Sequence, residues 1–315
     1  MSGPMNSVTN TLRDAMRRGE ARLAVGPHAE RARQDASALL RAVVGKDQAA
    51  LMTHWDEPLP ASLARRFAAL LERRFKGEPM QYILGKTEFY GLSFRVTPQV
   101  LIPRPETEHL VEAVIERATR MLESTSEADS GSPPELRIAD VGTGSGVIAV
   151  TLARELATAQ ITAIDRSLAA LTVARENAAL HGVSDRLRLM GGDLLTPVAG
   201  ERFEIIASNP PYVPARDRTT LAVEVREYEP SMALFAGADG LDIYRRLIPS
   251  AAMALVPAGW LVLEIGFGQA ASVEALLVES GFQTIQIVAD LQGIPRVVCA
   301  MRAGVSAESG AGVDS

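Results

Sequence analysis

Apolar and polar positions divide the chain into a helical front part and a longer part in which strands and helices alternate. Apolar residues recur at helical spacing in Ala36–Val44 and Leu63–Phe75, which predicts two helices that pack on one another. Aromatic and β-branched residues surround a glycine in residues 88–96, which predicts a β-hairpin. A third helix is predicted to start at Glu106 or Thr107 and to continue to about Leu122.

Beyond this helix, short apolar runs are separated by amphipathic stretches. The runs predict strands that begin at Arg137, Ile161, Leu187, Phe203, Trp260, Thr284 and Val297, and helices are predicted near residues 168–180 and 243–255. Strand and helix in alternation favour an α/β fold with a mostly parallel sheet. The last two strands are close in sequence, which predicts an antiparallel hairpin at the end of that sheet.

These patterns give four predicted segments. A helical domain covers residues 1–86, a hairpin linker covers 87–104, an α/β domain covers 105–302, and a disordered tail covers 303–315. Within the α/β domain, the polar stretch at residues 124–134 is rich in Ser and Pro and predicts a surface loop before the first strand.

Composition and charge narrow the function classes. The 315 residues are 47% hydrophobic and 22% charged, which is typical of a globular protein with a sizeable core. The net charge of −6 argues against a protein that coats nucleic acid, although residues 1–110 carry 16 basic and 12 acidic residues, a net +4. Neither an apolar span of about 20 residues nor a signal peptide is evident, so we expect a cytoplasmic protein.

The cysteine and histidine residues indicate neither a disulfide nor a metal site. The single cysteine, Cys299, excludes an internal disulfide, and the four histidines show no metal-ligand spacing. We therefore expect no metal site.

A glycine-rich turn follows the strand that begins at Arg137. Asp140 precedes Gly142-Thr143-Gly144-Ser145-Gly146, and an apolar helix follows. Glycines at this spacing allow positive φ and close approach of a ligand. Two further acids, Asp165 and Asp193, end the next two predicted strands. Because ligands of open α/β sheets bind at the carboxyl ends of the strands, three acids there indicate a nucleotide-type site, although a lone Asp is more often a turn or cap residue.

Asn209-Pro210-Pro211-Tyr212 follows another apolar run. The residue before a proline is pushed into an extended conformation, and consecutive prolines remove two N–H donors, so carbonyl acceptors dominate the local surface. An incoming NH2 group would find an acceptor for each hydrogen, at Asn209 Oδ1 and at the Pro210 carbonyl. Tyr212 adds a flat ring that can pack against an amide or a base.

The chain as a whole resembles the peptide chain release factor glutamine methyltransferase family over roughly residues 8–302. The resemblance rests on residues 77–85, 88–91, 101–108, 140–146, 209–212 and 225–230. It implies a class I S-adenosylmethionine-dependent methyltransferase fold (Rossmann-like, with a mostly parallel seven-stranded sheet and a reversed last strand) behind a helical substrate-recognition domain. It also implies S-adenosyl-L-methionine as methyl donor, S-adenosyl-L-homocysteine as product, and the glutamine of a Gly-Gly-Gln loop in class I release factors as acceptor.

The resemblance and the two motifs together imply roles for individual residues. We expect catalysis at Asn209, Pro210 and Tyr212, and substrate binding at Asn209, Pro210, Pro211, Tyr212, Ile102 and Arg104. We expect cofactor binding at Asp140, Gly142, Thr143, Gly144, Ser145, Gly146, Asp165, Asp193, Leu194 and Asn209. Leu194 stands where some family members place an aromatic ring against the adenine.

Three alternatives stay open at this point. The Asn-Pro-Pro-Tyr motif is shared with amino methyltransferases of DNA and RNA, but these need a basic groove, and this chain is acidic. A ribosomal-protein glutamine methyltransferase would be a sister enzyme, from which the segment at residues 103–108 separates this chain. A non-catalytic scaffold would tend to lose the glycine turn. We expect a monomer with release factors as partners and no direct contact with nucleic acid or membrane.

Overall fold

The computed structural model of the chain describes residues 10–126 and 136–304. Its helices are α1 (Leu12–Leu23), α2 (Ala32–Val44), α3 (Gln48–Thr53), α4 (Ala61–Phe75), α5 (Met80–Leu84), α6 (Thr107–Ser126), α7 (Val147–Glu155), α8 (Leu168–Leu180), α9 (Val223–Tyr228), α10 (Asp242–Ala254) and α11 (Ala270–Glu279). Its strands are β1 (Lys86–Phe89), β2 (Leu92–Arg95), β3 (Leu136–Val141), β4 (Ala159–Asp165), β5 (Leu187–Gly191), β6 (Phe203–Ser208), β7 (Leu255–Glu264), β8 (Phe282–Ala289) and β9 (Pro295–Arg302).

Short 3₁₀ turns connect several of these elements, at Ala29–Arg31, Ser184–Arg186, Thr196–Val198, Ala215–Thr220 and Ser231–Ala233. The chain divides into two units. The first comprises the residues up to Lys86 together with Ala222–Tyr228, and the second comprises Thr87–Leu221 and the residues from Glu229 onward. Within the described ranges, we find no helix that is both long and apolar enough to cross a membrane.

The first unit is a helical bundle of α1 to α5 with α9. Leu39, Leu40 and Leu51 are fully buried in its core. Helix α1 begins with a capping box in which the Thr11 hydroxyl and the Asp14 carboxylate satisfy each other's backbone N–H groups. A Cβ at Gly19 would lie 2.8 Å from Phe67 Cζ, so α1 and α4 pack closely at this glycine.

A buried ion pair crosses the first unit. Arg74 is 1% exposed, and its Nε donates to Asp35 Oδ2 at 2.6 Å. The same guanidinium also donates to Glu224 of α9 and to the Glu78 carbonyl. Helix α9 therefore belongs to this bundle although about 150 residues separate it from the others in the chain, as the Arg74–Glu224 pair shows.

The second unit is built on a seven-stranded sheet in the order β5-β4-β3-β6-β7-β9-β8. Strand β3 pairs in parallel with β4 and β6, whereas β9 runs antiparallel to both β7 and β8. This arrangement confirms the predicted α/β fold with a mostly parallel sheet and a reversed last strand.

Both faces of the sheet are covered, which explains why its strands read as continuous apolar runs. Ile138 and Ile205 face the side packed by α6, α7 and α8, while Ala139 and Ile206 face the side packed by α10 and α11. The β1–β2 hairpin joins the first of these layers through Phe89 and Phe94, which are almost fully buried.

The predicted helices and strands are confirmed, but the sequence patterns missed five helices: α1, α3, α5, α9 and α11. Helix α6 runs to Ser126, so it takes the first residues of the predicted loop at 124–134; the rest of that loop, and the predicted tail from residue 305, lie outside the described residues.

Candidate active site

The carboxyl ends of β3, β4, β5 and β6 surround one cavity of about 170 Å³ in the second unit. We call it the strand-end cavity. Its wall includes eight of the residues predicted from sequence to bind cofactor or substrate: Gly142, Gly144, Asp165, Asp193, Leu194, Asn209, Pro210 and Pro211. Residues from four strand ends, dispersed over about 70 positions, thus meet at one edge of the sheet, as parallel strands require.

The glycine turn lies between β3 and α7. Gly142, Gly144 and Gly146 have φ of +78°, +55° and +82°. A Cβ at Gly142 or Gly144 would meet no atom within 4 Å, so these two positions keep the cavity wall bare. A Cβ at Gly146 would instead lie 3.1 Å from Ala174 Cβ, which shows that the third glycine allows α7 and α8 to pack closely.

Asp140 lies under this turn and is fully buried. Its Oδ2 accepts the Thr143 hydroxyl at 2.6 Å and the Ala149 backbone N–H at 3.2 Å. Burial raises the pKa of Asp140 to about 7, against the lowering effect of those two donors. Thr143 and Ser145 are each 3% exposed. The structure therefore places Asp140, Thr143 and Ser145 as the support of the turn, behind the cavity wall.

Asp165 stands on the wall itself, at the end of β4. Its Oδ2 accepts the Gly144 N–H at 2.9 Å and its Oδ1 accepts the Ser167 N–H at 2.7 Å. Burial raises the pKa of this carboxyl, and the backbone donors oppose the rise. A carboxylate has about four lone-pair sites, and these donors, with a further one from the Arg166 backbone, use only part of them. Acceptor capacity therefore remains for a hydroxyl group of a ligand.

Asp193 and Leu194 follow β5. One Asp193 oxygen is paired with Arg246 of α10, which also lines the cavity. Leu194 has φ +51°, a left-handed conformation that is uncommon for a leucine. This conformation brings Leu194 to the wall beside Ile164, Ala170 and Ile243. Apolar side chains next to the Asp165 acceptors suit a ligand with a flat ring and neighbouring hydroxyl groups, such as a nucleoside.

The tetrapeptide from Asn209 to Tyr212 follows β6. Asn209 Nδ2 donates to Thr107 Oγ1 at 3.0 Å, and the Thr107 hydroxyl donates to Glu264 Oε2 at 2.6 Å. The Tyr212 hydroxyl donates to Glu264 Oε1 at 3.4 Å, and its burial raises the pKa of the phenol. Gln269 Nε2 donates to the Tyr212 carbonyl at 3.0 Å, which fixes the backbone after the prolines.

Ile102, Arg104 and Tyr212 are placed differently from the other predicted substrate residues, because none of the three is among the described residues that line the cavity. The described cavity wall includes Gln99, Val100 and Leu101 but neither Ile102 nor Arg104. Ile102 is 3% exposed, and Arg104 Nη2 donates to Glu229 Oε1 at 2.5 Å. Glu229 is itself buried and also accepts the Ile102 N–H at 3.3 Å. This pair links the segment before α6 to the one after α9.

Sequence reasoning missed Thr107, Glu264, Gln269 and Arg246 as neighbours of the site. Glu264 had a usable signal, because it ends the apolar run of β7 as Asp165 ends that of β4. The other three carry no local signal. Among the described residues, no cluster of His, Cys, Asp and Glu could hold a metal ion.

Two family models match the chain. The PrmC N-terminal domain model matches residues 14–85, and the methyltransferase small domain model matches residues 108–226. The first match covers most of the first unit, and the second covers β3 to β6 with the cavity residues that they carry.

Two relatives named release factor glutamine methyltransferase are similar over nearly the whole chain. The protein of Geobacter sulfurreducens is 43% identical over 85% of this chain and 89% of its own length. The protein of Moorella thermoacetica is 42% identical over 93% of this chain and 99% of its own length. Among solved structures, the hMettl16 catalytic domain in complex with MAT2A 3'UTR hairpin 1 matches with a TM-score of 0.51 at 15% identity, over 84% of this chain and 90% of that one, which shows a shared fold.

Proposed function

Because the chain belongs to the release factor glutamine methyltransferase family, we propose that it methylates the side-chain amide nitrogen of the glutamine in the Gly-Gly-Gln loop of class I release factors, with S-adenosyl-L-methionine as methyl donor. The observation that carries the proposal is the position of Asn209. Its side chain lies at the cavity wall, and its Nδ2 is engaged by Thr107, which leaves Oδ1 as the acceptor for a substrate amide.

The residues of the strand-end cavity fit the proposed donor. Asp165 would accept a ribose hydroxyl, Leu194 and Ile164 would contact the adenine, and the bare backbone of Gly142 and Gly144 would face the amino-acid end. When bound, S-adenosyl-L-methionine supplies a methyl group on a positively charged sulfur. Asp193 is a weaker candidate for the adenine amino group, because Arg246 already occupies one of its oxygens.

Placement and charge must supply the catalysis. A glutamine amide nitrogen is a poor nucleophile because its lone pair is delocalised into the carbonyl. We propose that Asn209 Oδ1 and the Pro210 carbonyl each accept one of its N–H groups and so hold the nitrogen in the orientation for transfer. As the nitrogen becomes positively charged, its hydrogens become stronger donors, and the two acceptors stabilise the transition state more than the ground state. The methylated nitrogen would then lose one hydrogen as a proton to water, which gives the neutral N-methyl amide, with S-adenosyl-L-homocysteine as the other product.

The same two acceptors would select glutamine over glutamate. A carboxylate would place oxygen against oxygen, and each acceptor left without its hydrogen costs about 1–3 kcal/mol. Tyr212 is assigned to packing and positioning, because its hydroxyl already donates to Glu264.

The first unit is the proposed contact surface for the release factor. Its match to the PrmC N-terminal domain model and its own charge, 15 basic and 11 acidic residues for a net +4, support a role in binding a partner protein. We propose that the chain acts as a cytoplasmic monomer without direct contact with nucleic acid or membrane.

Mass spectrometry of a recombinant class I release factor tests the function. We expect the glutamine of the Gly-Gly-Gln peptide to gain one methyl group after incubation with the protein and S-adenosyl-L-methionine. A release factor with Gln→Asn at that position is the matched control and should stay unmodified. Methyl transfer to RNA, DNA or a ribosomal protein, with none to the release factor, would contradict the proposal and favour one of the alternative substrates.

A further inference from the structure

A chain of hydrogen bonds leads away from Asn209 into the protein. Asn209 Nδ2 donates to Thr107 Oγ1 at 3.0 Å, Thr107 Oγ1 donates to Glu264 Oε2 at 2.6 Å, and the Tyr212 hydroxyl donates to Glu264 Oε1 at 3.4 Å. The four residues come from α6, β7 and the segment after β6. Glu264 is the only carboxylate of this chain of contacts, and it is 2% exposed.

Buried and charged groups surround Glu264 from each neighbouring element. The Tyr244 hydroxyl of α10 donates to the backbone carbonyl of Glu264 at 2.8 Å. The negative charge of Glu106 raises the pKa of the Glu264 carboxyl, and the positive charge of Arg296 lowers it. Burial raises the pKa of Glu264 to about 7, against the lowering effect of the Thr107 and Tyr212 hydroxyls and of Arg296. Burial therefore disfavours the ionised form of the Glu264 carboxyl.

In its ionised form, above a pH of about 7, Glu264 fixes the direction of every hydrogen bond in the chain. An ionised carboxylate can only accept hydrogen bonds, so the Thr107 hydroxyl must donate its one hydrogen to Glu264. The remaining lone pairs of Thr107 Oγ1 can only accept, and the group that meets them at Asn209 must be the NH2. The Asn209 amide then has one orientation, with Oδ1 directed away from Thr107.

We propose that Glu264 and Thr107 are positioning residues that hold the Asn209 amide with its oxygen toward the substrate. The inference rests on the proposed function, because the orientation matters for an acceptor that is itself an NH2 group. With the amide reversed, Asn209 Nδ2 would face the substrate nitrogen, and two sets of N–H donors would oppose each other. The acceptor that stabilises the transition state would be lost although Asn209 itself was still present.

Three variants test the direction of donation. Glu264→Gln preserves size but adds a donor, so Thr107 can accept from residue 264 and donate to Asn209 Oδ1, which reverses the amide. Thr107→Val removes the hydroxyl, and Thr107→Ser restores it. We expect Glu264→Gln and Thr107→Val to lower kcat on the order of tenfold to a hundredfold, with KM for the release factor less affected and S-adenosyl-L-methionine affinity within about twofold of wild type. Thr107→Ser should keep most of the activity.

Thr151→Val is the matched control for the loss of a buried hydroxyl. Thr151 is fully buried in α7, and its hydroxyl has no hydrogen-bond partner among the described residues, so the variant should retain full activity. The inference would be overturned by equal activity of Glu264→Gln and wild type, or by an equal loss in Thr107→Ser and Thr107→Val.

A second measurement needs no substrate. The chain has four asparagines, so ¹⁵N-asparagine labelling gives few side-chain signals, and the Asn209 NH2 pair is assigned by its loss in Asn209→Ala. We expect these signals to shift with a midpoint near pH 7 as Glu264 titrates. The shift should vanish in Glu264→Gln, which retains Asp140 with its similar pKa. A shift that persists in Glu264→Gln, or none in wild type, would overturn the coupling.

The two measurements separate the inference from the function it rests on. Wild-type protein that fails to methylate a release factor would contradict the proposed function, and the NMR titration would still decide whether Glu264 controls the Asn209 amide. If the wild-type protein methylates the release factor but its Asn209 NH2 signals do not shift with pH, the proposed function is supported and the positioning role of Glu264 is contradicted.

Discussion

At the residue scale, Asp140 and Asp165 are identical side chains with different roles, because one is buried behind the cavity wall and the other lines it. Both lie near the carboxyl ends of strands of the same sheet, and burial raises the pKa of both carboxyls. Asp140 is fully buried and bonded to Thr143 and Ala149, so it supports the glycine turn. Asp165 has part of its surface in the strand-end cavity and keeps acceptor sites for a ligand.

Asp165→Asn should weaken cofactor binding. Both oxygens of Asp165 accept backbone N–H groups, from Gly144 and Ser167, so no orientation of an amide satisfies both. Hydrogen bonds to charged groups contribute about 1.5–3 kcal/mol, and we expect the dissociation constant for S-adenosyl-L-methionine to rise on the order of tenfold to a hundredfold by calorimetry. Asp185→Asn, at an exposed position, is the control and should bind as wild type does. Unchanged affinity of Asp165→Asn would remove Asp165 from the cofactor site.

Asn209→Ala should separate chemistry from cofactor binding. The substitution removes the proposed side-chain acceptor, and the loss of one such group typically lowers kcat by about a hundredfold to a thousandfold. S-adenosyl-L-methionine affinity should change little, because Asn209 contributes only one part of the cavity wall. Single-turnover rates with a release factor and a separate binding titration measure the two effects. Full turnover of this variant would refute the proposed mechanism.

At the scale of elements, the turn between β3 and α7 combines two uses of glycine. Gly144 keeps the wall open, and Gly146 lets α7 approach α8. Both require positive φ, which non-glycine residues adopt at a cost of about 1–2 kcal/mol. Backbone conformation therefore favours glycine at both positions, and the close contact with Ala174 is a second reason for glycine at position 146.

Gly144→Ala and Gly182→Ala should distinguish these effects. The two glycines have φ of +55° and +67°, and a Cβ would meet no atom within 4 Å at either. We expect each variant to lose about 1–2 kcal/mol of unfolding free energy. Only Gly144→Ala should also lose S-adenosyl-L-methionine affinity, because Gly144 lines the cavity and Gly182 follows α8. Equal affinity of the two variants would show that the ligand does not approach Gly144.

At the scale of the whole molecule, the proposed cofactor site and the buried Arg74–Asp35 ion pair lie in different units. The strand-end cavity is lined only by residues of the second unit, whereas the buried Arg74–Asp35 pair lies in the first. Removal of one partner from a buried ion pair typically costs 3–5 kcal/mol, because a buried charge loses its compensation.

Arg74 keeps Glu224 as a second carboxylate partner, so Asp35→Asn should destabilise the first unit by less than the loss of a sole partner would. We expect a loss of roughly 1.5–3 kcal/mol, the contribution of a hydrogen bond to a charged group, with S-adenosyl-L-methionine affinity unchanged. Urea unfolding of the full chain, followed by Trp55 fluorescence with Trp260 replaced by Phe, measures the loss. Asp56→Asn breaks the exposed Arg13–Asp56 pair and should cost less than about 1 kcal/mol. A comparable effect of the two substitutions would show that the buried pair has no special role.

Much of this architecture is encoded in local patterns. The apolar runs predicted the seven strands of the sheet, and the spacing of the three glycines predicted the turn after β3. The missed helix α1 also had a signal, a capping box at Thr11 followed by buried residues at helical spacing. Such features can be read from sequence because periodicity and turn chemistry involve residues that are neighbours in the chain.

The tertiary structure alone decided the contacts between distant residues. Thr107 and Glu264 are 157 residues apart, and only the approach of α6 to the end of β7 makes them partners. Helix α9 joins the first unit through Glu224 and Arg74 for the same reason. The sequence determined which strand ends carry acids, glycines and the Asn209 acceptor. Burial and packing determined which of these groups reach the cavity and which support it, because both depend on atoms that no local pattern brings together.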